Sequence, residues 1–313
     1  NYTDYFVAET YYNNGDWIGE WTNNIKMWRP NAPGSKWKYL LYDTDFGMGL
    51  KNSVNDNRLA MARNPIEFSH SSEMFDAMLA NPTFKRYFIN RYADLINTIF
   101  LPANINTIVH EFQDPMAPDM TEHFAKWGSN ASTWQDNIDV ITTFANARPN
   151  IMRDFIKSGF GLSSKVTLTL QVSPAGAGRI EISTITPTSY PWSGVYFNGN
   201  PVTITAIPNP GYTFDHWRSN VVISSNNYNQ AVTYNFNAND AITCYFTGSA
   251  TTPKLTISEL NYNSDGANNA GDWVELHNYG TQALNISGWK FKDEEDNHIF
   301  QFPTGTTLAS GAY

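Results

Sequence analysis

Residues 13–50 read NNGDWIGEWTNNIKMWRPNAPGSKWKYLLYDTDFGMGL, and the fold is decided by how this stretch is read. Asp16 stands in a Gly-Asp-Trp turn, after Asn14-Gly15 ends whatever precedes it. Asn23 and Asn24 lead into Ile25 and Met27 alternating with Lys26 and Trp28, which predicts a strand. Pro30 to Ser35 carries prolines, an asparagine and a glycine, a hairpin-type connection. Trp37 to Tyr42 is the return strand, and it stops at Asp43-Thr44-Asp45-Phe46-Gly47. Acids at the mouth of a strand, with an Asp and an Asn on a nearby loop, are the donors that a magnesium–nucleotide site needs. Phosphoryl transfer asks one carboxylate to orient the nucleophile and another, with an Asn, to hold the metal. Magnesium takes hard oxygens, usually one or two carboxylates completed by phosphate and water.

On that reading Asp16 is the catalytic carboxylate, and Asn24 or Asn23 is the amide of the site. Asp45 is the principal metal ligand, helped by Asp43. In an extended segment Asp43 and Asp45 point the same way, because side chains alternate with period two. The bland reading stands beside it: the two acids would also simply end a strand and cap a turn, and an isolated Asp-Phe-Gly recurs by chance.

The flanking sequence gives the context. Residues 1–12 place Tyr2, Tyr5, Phe6, Ala8 and Tyr12 at spacings that predict an amphipathic helix feeding the Asp16 turn. From Asn64 to Phe160 the texture is helical, with segments over 67–79, 84–100, 102–112, 120–127, 134–147 and 150–160. Asn81-Pro82-Thr83 is read as a stop and restart, and Arg148-Pro149 as the end of the fifth helix. From Lys165 the period switches to two: VTLTLQVSP, RIEIS, YPWSGVYF, PVTITAIP and ITCYF are short strands parted by AGAG, NGN and NPG turns. After a Ser249–Pro253 linker, a second β module begins at Lys254 and is expected to be truncated at residue 313.

Composition narrows the function classes. The net charge of −9 argues against nucleic acid as a main partner, since phosphate backbones demand a concentrated basic surface. No apolar run approaches the length of a membrane span. The single cysteine, Cys244, excludes an internal disulfide and a cysteine-rich zinc site, and lies in an alternating strand pattern that predicts burial. Only 16% of residues are charged, and the chain is rich in Trp and Tyr, a composition that suits an extracellular or cell-surface protein. His70, His110 and His123 show no zinc spacing, and His123 is expected to be a buried structural residue. Arg63, Arg91 and Arg148 are expected in helix-surface ion pairs. Trp17, Trp21, Trp28 and Trp37 are expected in a cross-strand core rather than in sugar stacking.

Residues 1–160 resemble the carboxy-terminal part of the CotH (spore coat protein H) kinase family. The resemblance rests on Asn14-Gly15-Asp16-Trp17, Asn23-Asn24-Ile25-Lys26-Met27-Trp28, Lys36-Trp37-Lys38-Tyr39 and Tyr42-Asp43-Thr44-Asp45-Phe46-Gly47. Asn81 to Phe84, Phe88 to Asp94, His123 to Trp127 and Phe144 to Pro149 extend it. It implies an atypical kinase-like fold that uses ATP and Mg2+ or Mn2+ to phosphorylate hydroxyls of secreted or surface proteins. By the same resemblance Asp16 matches the catalytic Asp, Asn24 the Asn of the metal-binding loop, and Asp43 and Asp45 the acidic pair. The family's nucleotide-gripping lobe is expected to precede residue 1, so this chain is expected not to turn over alone.

Pro210-Gly211-Tyr212-Thr213-Phe214-Asp215-His216-Trp217 resembles the internalin-B-repeat-like modules of bacterial surface proteins. Leu255 to Leu260, Gly271 to Leu276 and Ile286 to Trp289 resemble the lamin-tail domain, an immunoglobulin-like sandwich. Asp265, Asp272 and Glu275 there are expected in strand and turn roles rather than as calcium ligands. The expected architecture is therefore multidomain: an α+β kinase-like C-lobe (residues 1–162, a short hairpin plus helices) followed by two all-β sandwich modules (163–249 and 254–313). The β modules are expected to tether the site, with cell-wall or carbohydrate contact open to them. The rival reading is a non-catalytic surface adhesin or scaffold built on a degenerate kinase-like platform.

Overall fold

The computed structural model describes residues 1–19, 22–249, 254–262, 271–292 and 299–313. It divides into two compact units: residues 1–171, 180–205 and 217–243 form the first, and residues 172–179, 206–216 and 244–313 the second.

The first unit is built round helix α1 (Tyr2–Tyr12). The expected amphipathic helix is there, but it is not two-faced: every residue from Tyr5 to Tyr11 is buried. Aromatic rings enclose it. Phe6 stacks on Phe75 at 4.2 Å, Tyr11 on Phe100 at 4.1 Å and Tyr5 on Tyr39 at 4.6 Å. Such pairs add about 0.5–1.5 kcal/mol each beyond the area they bury. A helix surrounded in this way needs apolar residues all round, which is why the periodicity of 1–12 is weak.

The strands β1 (Lys26–Trp28) and β2 (Lys38–Leu40) form an antiparallel hairpin with Met27 opposite Tyr39. A helix absent from the expectation, α2 (Arg58–Arg63), follows, its N-terminus capped by Asn57. Then come α3 (His70–Leu79), α4 (Pro82–Asn97), α5 (Pro102–Met116), α6 (Met120–Trp127) and α7 (Ala131–Gly159). The restart at 81–83 is as read: Asn81 Oδ1 accepts from the amides of Thr83 and Phe84, and Pro82 starts α4 where its missing N–H costs nothing.

Two expected helices, 134–147 and 150–160, are one. α7 runs through Pro149 because Ala145, Arg148, Pro149, Met152 and Ile156 form a single buried stripe. Burial on both sides outweighs the roughly 3 kcal/mol that an interior proline costs.

Arg148 is not in a surface ion pair. It is fully buried, and it donates from Nε to Tyr11 O (2.9 Å), from Nη2 to Thr10 O (2.8 Å), and from Nη1 to Val54 O (2.5 Å) and Asp56 O (3.0 Å). It thus satisfies the last carbonyls of α1, which a helix leaves without partners. Arg63 and Arg91 do form ion pairs, with Asp76 (3.1 Å) and Asp4 (2.7 Å).

The middle β module contains a four-stranded sheet, of strands β3 (Ser164–Ser173), β5 (Trp192–Asn198), β7 (Tyr212–Ser219) and β9 (Asp240–Gly248) in the order β5-β3-β9-β7. Its three-stranded sheet has the order β4-β6-β8, from Gly178–Ile182, Val202–Pro208 and Ala231–Tyr234. β7 and β8 go beyond the strands expected from alternation, and Trp217 on β7 is fully buried. Cys244 is buried as expected, and its thiol pKa is pushed up by that burial.

Within the first unit, α4 meets this module through a polar stripe. Asn90, Asp94 and Asn97, at i, i+4 and i+7, are all buried. Asp94 accepts from Thr184 N (3.0 Å), Thr184 Oγ1 (2.7 Å) and Tyr196 OH (2.7 Å). Asn97 exchanges hydrogen bonds with the Val195 backbone, and Asn90 donates to Pro201 O. In the second unit, strands β10 (Leu255–Asn261) and β11 (Trp273–Asn278), β12 (Leu284–Asn285) and β15 (Thr307–Leu308), and β13 (Lys290–Lys292) and β14 (Ile299–Gln301) form three antiparallel pairs. Glu275 accepts from Ser258 Oγ, and Asp265 lies outside the described residues.

Replacing Arg148 by Met strips two buried carbonyls (Thr10 and Tyr11) and two part-buried ones (Val54 and Asp56) of their partner, and a carbonyl left unsatisfied in the interior costs about 1–3 kcal/mol. Arg148→Met is therefore expected to lower the unfolding free energy by about 3 kcal/mol or more. Urea denaturation of wild type and variant measures this, and coincident midpoints would contradict it.

Candidate functional site

The site begins where α1 stops. Asn13 takes the left-handed conformation (φ 59°), and the amides of Asn13 and Asn14 both reach back to Glu9 O. Asn14 Oδ1 then accepts from Asp16 N at 3.3 Å, an Asx turn that sets the direction of the Asp16 backbone. Trp17 is fully buried and donates from Nε1 to Tyr5 OH at 2.7 Å, which pins the turn to α1. The loop closes when Asn23 N–H donates to Trp17 O.

That closure brings both asparagines to Asp16. Asn23 Nδ2 lies 3.2 and 3.0 Å from the two carboxylate oxygens of Asp16, and Asn24 Nδ2 lies 3.1 Å from Oδ2. No cationic side chain among the described residues pairs with Asp16. Among the described residues the side chains that hydrogen-bond to its half-buried carboxylate are the Asn23 and Asn24 amides.

The second half of the site follows the hairpin. Tyr39 is held against α1 by Asn1, whose side chain accepts from Tyr39 N (2.8 Å) and donates to Tyr39 O (3.1 Å). Beyond it Asp43 adopts φ 52°, so the chain at this point is a turn and not the extended segment expected. Asp43 and Asp45 meet through the turn rather than through strand alternation. The Asp43 carboxyl pKa is raised, first by its hydrogen bond to Asp45, then by the charge of Asp45, with Asp16 a smaller contributor. Both acids are exposed.

The two halves are stitched together by backbone and amide contacts. Gly15 N donates to Phe46 O, Met48 N to Tyr12 O, and Asn52 Nδ2 to both Asn13 O and Phe46 O. A side chain at Gly47 would bring a Cβ to 3.0 Å from Thr44 O and 3.1 Å from Tyr12 O, so these backbones would have to give by a few tenths of an ångström to admit one. Among the described residues five non-glycine positions have positive φ, and Asn13, Asn24, Asp43 and Met48 are four of them. Strained backbone gathered in one loop pair is a feature of functional sites.

The donor chemistry fits a hard divalent cation. Among the described residues no protein cation pairs with either carboxylate of Asp43 and Asp45, and an opposite charge brought near such a pair favours its ionised form. Among the described residues no three His, Cys, Asp or Glu side chains are arranged to hold a metal ion. The protein would therefore supply a carboxylate pair and an amide oxygen, and leave the other positions to phosphate and water, which is how magnesium sites with phosphate substrates are built.

Residues 1–152 match the family described as CotH kinase protein. Residues 168–250 match the divergent InlB B-repeat domain and residues 248–313 the lamin tail domain, in the order that the sequence motifs imply. No curated protein and no solved structure shows significant similarity to the chain.

Several expected placements differ. Trp17 is in the core, but Trp28 and Trp37 are 43% and 59% exposed, and Trp21 lies outside the described residues. Tyr39 is the one buried strand residue of the hairpin, against α1, and the other residues of β1 and β2 are exposed. There Lys38 sits 5.4 Å from the Trp28 ring and Arg29 5.1 Å from the Trp37 ring. His123 is exposed, because α6 is a short helix with no buried residue.

Glu9 and Asn14 were not foreseen as part of the CotH-like site. Glu9 is fully buried beneath it and accepts from Asn14 Nδ2 at 3.0 Å through Oε2. Burial raises its pKa to about 7, against a smaller opposing effect from the Asn14 bond. A Glu that follows the apolar run Tyr5 to Ala8, five residues ahead of Asn14, was the available signal.

The sign of the resulting pH dependence follows directly. The unfolded chain releases the Glu9 proton near pH 4.5, whereas the folded chain keeps it to about pH 7. The folded state binds more protons in that window, so stability falls as pH rises through it, by at most roughly 3 kcal/mol. Glu9→Gln lacks this slope. Its unfolding free energy is expected to gain on wild type between pH 5 and pH 8, and parallel profiles would refute the assignment.

Proposed function

We propose that the CotH-like segment carries a phosphotransferase site that moves the γ-phosphoryl group of ATP to a hydroxyl of a protein, with Mg2+ or Mn2+. The observation that carries the reading is the pairing of an amide-held Asp16 with the Asp43–Asp45 carboxylate pair across one stitched loop junction. Asp16 accepts the hydroxyl proton of the acceptor, or orients that hydroxyl, at whichever carboxylate oxygen faces it. Asn23 and Asn24 fix the plane of that carboxylate. Asn24 gives its Nδ2 to Asp16, which leaves the amide oxygen as a ligand, and Asp45 and Asp43 supply the charged ligands. These residues would hold the divalent cation, which when bound would supply positive charge opposite the transferring phosphoryl group.

The acceptor is proposed to be a secreted or surface protein, and the chain itself extracellular or attached to the cell surface. Support comes from the matches to a CotH kinase and an InlB B-repeat, and from a composition low in charge and rich in Trp and Tyr. No helix among the described residues is long and apolar enough to cross a membrane. On this reading the β modules position the site near its acceptors and carry no chemistry themselves.

The test is transfer of labelled phosphate by the full-length protein with ATP and Mn2+, beside Asp16→Asn and Asp45→Asn. Each variant is expected to lose about 100-fold or more in kcat, the scale at which a catalytic acid–base group contributes. Equal transfer by wild type and both variants would leave the non-catalytic scaffold as the better reading.

A further inference from the structure

Asn14 has no exposed atoms, yet it touches both halves of the site. Its Oδ1 accepts the Asp16 amide (3.3 Å), and its Nδ2 donates to the main-chain carbonyl of Asp43 (3.4 Å) and to Glu9 Oε2 (3.0 Å). The Asp43 carbonyl belongs to the residue whose left-handed backbone turns the chain into the acidic pair. An asparagine amide can sit either way round, and neighbouring donors and acceptors decide which. Here the Asp43 carbonyl, which can only accept, lies on one side and the Asp16 N–H, which can only donate, on the other, so the amide nitrogen faces Asp43 and Glu9 and the oxygen faces Asp16 N–H. Glu9 also holds Asn14 from below, because its main-chain carbonyl takes the Asn14 amide at 3.2 Å.

We infer that Glu9 and Asn14 are a buried positioning pair that sets the separation and orientation of Asp16 relative to Asp43 and Asp45. The inference rests on the phosphotransferase reading of those three acids. It explains why a carboxylate is kept inside a helix otherwise enclosed by aromatic rings. Glu9 Oε1 has no hydrogen-bond partner among the described residues, and an apolar residue of the same length would fill the place without that cost. A structural role alone therefore does not account for Glu9, whereas orienting Asn14 does. The side-chain hydrogen bond of Glu9 among the described residues is the one to Asn14, so on this reading it acts through Asn14.

The experiment compares wild type, Glu9→Met, Glu9→Gln and Asp45→Ala in the full-length protein. It reads Mn2+ affinity by electron spin resonance, kcat and KM for phosphate transfer, and the unfolding midpoint. Glu9→Met removes the acceptor and the buried charge together, so it is expected to unfold no earlier than wild type at pH 8. It should nevertheless bind Mn2+ about tenfold more weakly, the size of effect that loss of an outer-shell partner produces. Its kcat should fall while KM for the acceptor hardly moves. Glu9→Gln keeps an oxygen for Asn14 and should recover most of both losses. Wild-type Mn2+ affinity and kcat in Glu9→Met, with Asp45→Ala failing to bind Mn2+, would overturn the positioning role and leave the phosphotransferase reading standing. Unchanged Mn2+ binding in Asp45→Ala would overturn that reading and this inference with it.

Discussion

The buried guanidinium of Arg148 is the contact on which the rest of the first unit depends. Its donors all go to main-chain carbonyls: two at the end of α1 and two in the loop before α2. Burial lowers its pKa, against smaller opposing effects from Tyr92, Tyr11 and the Asp56 charge. The return is geometric. One planar group fixes where α1 ends, how α7 crosses it and where the loop of residues 50–57 lies. Those three elements frame the turn that presents Asp16 and the turn that presents Asp43. Lysine carries the charge but not the fork, so it could not make these contacts at once.

The site built on that frame is held by neutral groups. Amides of Asn14, Asn23, Asn24 and Asn52 do the work that ion pairs do elsewhere, and among the described residues no cationic side chain pairs with Asp16, Asp43 or Asp45. Had lysines or arginines held these acids, a metal would have had to displace them. Four left-handed residues in the same loops show what the arrangement costs in backbone freedom. α4 follows the same logic where it meets the middle β module. A buried carboxylate, Asp94, takes three donors, and its pKa is raised by burial despite them. A polar junction of this kind is specific in direction, because a shifted register would leave Asp94 unpaired.

Much of this was legible in the linear chain. The turn at Asn14-Gly15-Asp16, the hairpin around Pro30 to Ser35, the restart at Asn81-Pro82 and the period-two strands after Lys165 all follow from local chemistry. Such features depend on a few neighbouring residues: a cap, a missing N–H, an alternation. The order of the three matched families was legible for the same reason, since each motif is local. Pro149 shows the limit. Local rules end a helix there, and only the buried stripe on both sides of it, seen in three dimensions, keeps α7 whole.

By itself the sequence determined which residues carry charge in residues 13–50, and that a turn and a hairpin would lead to them; the left-handed turn at Asp43 came only with the structure. Tertiary structure alone decided what surrounds those residues. It turned Trp28 and Trp37 outward, buried Arg148, and brought Asn23 and Asn24 onto Asp16. It also placed Glu9 under Asn14. The physical reason is that burial and hydrogen-bond partnership are properties of distant segments meeting. Arg148 lies more than a hundred residues from the helix end that it caps, and no periodicity in either segment records the contact.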